Sequence, residues 1–324
     1  MVSRRVELSD VGRHLLVAGL WVAAFLLLSR YGARLVPVSL ARNLSLQGYL
    51  TVLQLVTAAL GIALSAVLLE RPRDALGIAS VPLPRALGLL LIGPAIYVVA
   101  SYVAIYVALP TLLAEIAARG RQAVQESTGE FGRQLASSGL GLAIVWGVVV
   151  SPVAEELMFR GAVWSAVQSL VDFIRGRRTA SDSAPSSADM PEGVIAPSAT
   201  LYLASSVGAF FVTGGVATFA SAGVFALMHA DVPGGLGIVR WVSALGLGLA
   251  TGFARHFGAS LAAPILIHAA FNACALATTR RWLVTESFGQ KLGVPILLSA
   301  LAVGCLIAAA AVTFAFRARP GRAS

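Results

Sequence analysis

Apolar residues fall along this chain in unbroken blocks of about 20, the length an α-helix needs to cross a hydrocarbon core, and period-two alternation is absent. The blocks run from Leu15 to Val36, Leu46 to Leu69, Ala86 to about Leu109, Gly139 to Val171, Ser206 to Ala230, Ile238 to Phe257, and Leu292 to Phe316. A further helix reaches about Thr278, with Ser260 as its N-cap and Pro264 in its first turn. This pattern predicts an all-α, polytopic membrane helical bundle of about eight transmembrane helices, forming a single membrane domain over residues 1–324. Pro94 is expected to kink the third helix and Pro110 to end it. Gly248 and Gly252 have the small-residue spacing that lets membrane helices approach closely.

The connections differ in kind. Residues 111–137 mix acidic and basic side chains with apolar ones, the pattern of a solvated connector or an interfacial amphipathic helix, and Ser127 with Glu130 has capping-box spacing. At 172–200 the composition shifts to Arg, Ser, Asp and Pro, which predicts a flexible inserted loop. Asp231 to Gly235 reads as a short turn.

Composition supports the membrane assignment: 57% of residues are hydrophobic and 12% charged, and the mean hydropathy is +0.83, leaving too little polar surface to cover a soluble core. The net charge of +9 is nearly all arginine in loops and termini, a pattern of loop retention and anionic-lipid contact rather than of nucleic-acid binding. A mild bias of arginines to the side of the termini predicts a multi-pass cell-membrane protein with both ends cytoplasmic. Arginine so favoured over lysine points to a bacterial, high-GC source. Cys274 and Cys305 fall in apolar helices as packing residues.

Among the ionisable or strongly polar groups inside the spans are Glu155, Glu156, Arg160, His229, His268 and Asn272. Charges at membrane depth cost several kcal/mol unless paired or hydrated, so they mark function by default. Helical spacing lets Glu156 pair with Arg160 one turn on, whereas Glu155, rotated by roughly 100°, needs another partner. Phe225 with His229, and His268 with Asn272, are likewise one turn apart, so three helices each contribute a polar face.

Two chemistries fit that set. Glu155 as a general base takes a proton from a water that His229 helps hold, while His268 and Asn272 stabilise the oxyanion formed on a peptide carbonyl. Alternatively, Glu155 or Glu156 joins His229 and His268 around zinc with a water in the open position. A hydrogen-bond network that only joins helices, or a proton relay, is the plain structural alternative. If Glu155 is deep in its helix, His229 meets it only where the turn after His229 is sunk within the protein or the fourth helix starts outside the membrane.

The three motifs, Glu-Glu-x-x-x-Arg at Glu155, Glu156 and Arg160, Phe-x-x-x-His at Phe225 and His229, and His-x-x-x-Asn at His268 and Asn272, stand in this order. Together they resemble the CAAX protease and bacteriocin-processing family, which includes the Ras-converting CAAX prenyl endopeptidase. The resemblance covers a core at about 139–280, the insertion excepted. It implies an intramembrane endopeptidase, acting on a membrane-associated peptide or protein substrate in the lipid bilayer. In it Glu155 and His229 activate water, His268 and Asn272 form the oxyanion site, and Glu156 with Arg160 supports the helix. Zinc remains a possible cofactor, with Glu155, His229 and His268 as ligands. The rival reading is a noncatalytic protein of the same fold, serving as an immunity, scaffold or transporter-associated protein. No His-Glu-x-x-His or Gly-x-Gly-Asp motif of other intramembrane proteases is present.

Overall fold

In a computed structural model, the described residues are 7–35, 46–120, 139–181, 214–230, 234–258, 260–279 and 303. Among them every regular element is helical, and six helices are long and apolar enough to cross a membrane. The chain is therefore an all-helical, multi-pass membrane protein. Helices α1 (Leu8–Leu35) and α2 (Leu46–Leu68) pair through Trp21, whose indole occupies the space beside Gly61. The short α3 (Pro72–Leu76) leads into α4 (Leu83–Arg119).

The fourth long helix, α5, covers 140–181 in five stretches: α-helical at Leu140–Ile144, Ser151–Glu156 and Trp164–Ser181, and π-helical at Val145–Val150 and Leu157–Val163. Then follow α6 (Val216–Leu227), α7 (Gly234–Gly258) and α8 (Ala262–Thr279). Large apolar side chains such as Val67, Val103 and Tyr106 point outward, as they must where lipid rather than water is the solvent.

Two boundaries differ from the sequence expectation. Pro110 does not end the third helix: α4 runs through both Pro94 and Pro110 to Arg119. Its last turns are held because Glu115 accepts a hydrogen bond from Gly235 N–H at 3.0 Å, at the positive end of α7 where a carboxylate is favoured. The loop expected at 172–200 starts later, since α5 continues to Ser181, helped by a one-turn Gln168–Asp172 hydrogen bond of 2.8 Å. Residues 182–200, the capping box at Ser127 and Glu130, Cys305, and, Val303 excepted, the last apolar block from Leu292 lie outside the described residues.

Close helix contacts are set by glycine. A Cβ on Gly248 would stand 3.1 Å from Ala222 Cα, and one on Gly252 2.8 Å from the Thr218 methyl, so the small-residue spacing does bring α7 onto α6. At Gly93 a Cβ would come within 2.6 Å of the Ile267 carbonyl oxygen; only glycine lets α4 lie against the turn of α8 that presents His268. Replacing Gly248 by Val is expected to part α6 from α7 and cost about 1–3 kcal/mol, read as a lower unfolding temperature in detergent.

The ends of α3 and α7 are stitched together. Gly77, at φ 72°, closes α3, its carbonyl accepts Leu261 N–H at 2.7 Å, and Ser260 Oγ donates to Ala79 O while accepting Ala262 N–H. Ser260 thus starts α8 as expected.

Candidate active site

The site is built on the middle of α5. The α-helical turn Ser151–Glu156 lies between two π-helical stretches, a widening that recurs at functional positions. All of Leu157–Val163 is buried. Glu156 and Arg160 have no exposed surface, and they pair at 3.1 Å, one turn apart, as the spacing predicts. The second guanidinium nitrogen of Arg160 donates to Gly248 O at 2.9 Å, a carbonyl reached through the close α6–α7 approach.

His268 joins this pair. Its Nδ1 lies 2.8 Å from Glu156 Oε1, the same oxygen that receives Arg160. Its Nε2 faces Glu155 Oε2 at 3.8 Å, a gap wider than a hydrogen bond. Glu156 therefore does more than support its helix, because it also holds the imidazole of α8.

Glu155 finds partners that the sequence reading did not anticipate. Its Oε1 accepts from Ser151 Oγ at 2.5 Å, one turn back on α5, and from Gln54 Nε2 at 3.2 Å, reaching over from α2. Gln54 also donates to Ser151 Oγ at 3.0 Å. The Ser151–Glu155 spacing of four was a readable signal; Gln54, a carboxamide in another apolar block, carried none.

His229 follows α6. Helices α5 and α6 run antiparallel, with Trp164 beside Thr218 and Phe159 edge-on to Phe225, so the end of α6 arrives at Glu155. His229 is within electrostatic reach of Glu155, His268 and Arg240. Its Nδ1 bonds Phe225 O at 2.8 Å, which turns Nε2 to the other side of the ring. Beyond the turn, Gly235 is buried against α4: a Cβ there would meet Leu112, and its N–H bonds Glu115.

Phe225 is the hub of the constellation. Its ring, 1% exposed, lies 4.5 Å from the His229 ring, 5.7 Å from that of His268 and 4.7 Å from the guanidinium carbon of Arg160. It spaces the two imidazoles and gives the cation an aromatic face in place of water.

Asn272 stands apart from the others. One turn beyond His268, its Nδ2 donates to Gly147 O at 2.8 Å, in the first π-helical stretch of α5. One amide hydrogen is thereby committed to the backbone, and any oxyanion contact falls to the second.

The expected zinc set was Glu155, His229 and His268. Among the described residues, no three His, Cys, Asp or Glu side chains are gathered closely enough to hold a metal ion. The donors surround one region without forming a ready ligand set.

Residues 137–274 match the family model described as type II CAAX prenyl endopeptidase Rce1-like. The chain thus carries a domain of the CAAX protease family, a family of intramembrane proteases. No curated protein and no solved structure gives a significant match to the chain.

Proposed function

We propose that this protein is an intramembrane endopeptidase that hydrolyses a peptide bond of a membrane-associated substrate, with Glu155 as the general base. The observation that carries the reading is the divided carboxylate of Glu155: Oε1 is taken up by Ser151 and Gln54, while Oε2 faces the ring nitrogen of His268.

In the proposed reaction Glu155 Oε2 takes a proton from a water that His229 Nε2 helps hold. The hydroxide so formed attacks the peptide carbonyl. His268, with Nδ1 against Glu156, presents Nε2–H to the developing oxyanion when the ring is protonated, and the Glu156 carboxylate compensates its charge. The second amide hydrogen of Asn272 adds to the same site. Collapse of the tetrahedral adduct breaks the C–N bond, and the proton held by Glu155 goes to the leaving amine.

The test is cleavage by detergent-purified protein of a peptide library drawn from juxtamembrane segments and termini of membrane proteins. The native chain and Ser65→Ala should cleave, and Glu155→Gln and His229→Ala should not. Ser65 is buried in α2 and bonds only its own helix, through Gly61 O. Equal cleavage by all four proteins would rule out the assignment, and cleavage by none would favour the noncatalytic alternative. Because the three donors are not gathered as ligands, cleavage is expected to survive 1,10-phenanthroline, and metal analysis to give far less than one zinc per chain. Stoichiometric zinc with chelator-sensitive cleavage would recast Glu155, His229 and His268 as ligands.

A further inference from the structure

We infer that Gln54 of α2 is a positioning residue of the active site, fixing the Glu155 carboxylate so that Oε2 is the oxygen left for the reacting water. The inference rests on the protease reading above and extends the site beyond the family-matched segment, since Gln54 lies well before residue 137.

Three observations converge. Gln54 is 6% exposed, and its Nε2 bridges Glu155 Oε1 and Ser151 Oγ at 3.2 and 3.0 Å. With Ser151 donating to the same carboxylate oxygen, the three side chains close a ring of hydrogen bonds, and the carboxylate cannot turn about its last bond without breaking two of them. The carboxamide orientation is also fixed by chemistry, because a flipped amide would set its oxygen against a carboxylate, acceptor to acceptor.

Finally, Gln54 Oε1 is buried and has no protein donor. Burying an acceptor unpaired costs desolvation without return, and this acceptor sits on the side chain that holds the base. A carboxamide whose donor holds the base, and whose acceptor is left beside it, belongs to a site that handles a donor such as water.

Two other buried polar groups of α2 lack this character. Thr57 bonds the backbone of its own helix at Leu53 O and Gln54 O, and Ser65 bonds Gly61 O. Gln54 is distinguished from them by its reach to a carboxylate on another helix.

The experiment compares native protein, Gln54→Met, Ser65→Ala and Glu155→Gln. Methionine keeps the length and volume of glutamine but supplies no N–H. On a fluorogenic peptide built from a library hit, Gln54→Met should lower kcat by about 10²-fold, the scale of a misplaced catalytic group. KM should stay within about twofold, because substrate contacts are untouched. A second arm needs no substrate: the infrared difference between native protein and Glu155→Gln isolates the Glu155 carboxylate bands, and Gln54→Met should shift them while Ser65→Ala leaves them in place. An unchanged kcat, or unshifted carboxylate bands, overturns the inference. If Glu155→Gln itself keeps full cleavage, the protease reading falls separately, and the infrared arm alone decides whether Gln54 holds the carboxylate.

Discussion

Glu155→Gln should leave the protein folded and reduce kcat by about 10²–10⁴-fold, the usual worth of a positioned general base. The substitution is isosteric, and its carbonyl oxygen can still accept from Ser151 and Gln54, the two donors that hold Glu155 Oε1. Packing on α5 is therefore preserved while proton acceptance is lost. Measured on detergent-purified protein, the unfolding temperature should stay near that of the native chain and cleavage should fall to background. Cleavage at the native rate would remove Glu155 from the chemistry, and with it the proposed function.

Arg160→Met should have the largest effect on folding. Arg160 is 0% exposed, as is Glu156, and the guanidinium is held by Glu156, by Gly248 O and by the face of Phe225. Removing it strands a fully buried carboxylate. Breaking a buried pair from one side costs about 3–5 kcal/mol, enough to deplete the folded protein in the membrane. The double variant Arg160→Met with Glu156→Gln removes both charges and should recover most of the stability. It should not recover cleavage, because His268 loses the anionic partner of its Nδ1. Yield and unfolding temperature of the single and double variants measure the first claim, and the peptide assay the second. A stable Arg160→Met protein would show that the pair is not structural.

Much of this arrangement was legible before any coordinates. The apolar blocks located the spans, with six suitable helices among the described residues, because a lipid-crossing helix must be both long and continuously apolar. The one-turn spacing of Glu156 and Arg160 gave their pairing correctly, since it depends only on local helix geometry. Helix ends were read less well. Pro110 was taken as a stop, yet α4 continues to Arg119 because Glu115 has a partner on Gly235, a contact between residues far apart in sequence. The π-helical widening of α5 was not readable either, for nothing in the order Val-Trp-Gly-Val-Val-Val sets it apart from an ordinary turn. Gln54 was missed for a related reason: its importance comes from what lies across the helix interface, and composition does not record that.

One atom, Glu156 Oε1, receives both the guanidinium of Arg160 and the imidazole of His268. Robustness and reactivity then have a common root, and selection cannot adjust one without disturbing the other. Descendants of this chain that abandon catalysis would be freed to drift first at His268, while Arg160 would remain under constraint for as long as the carboxylate stays.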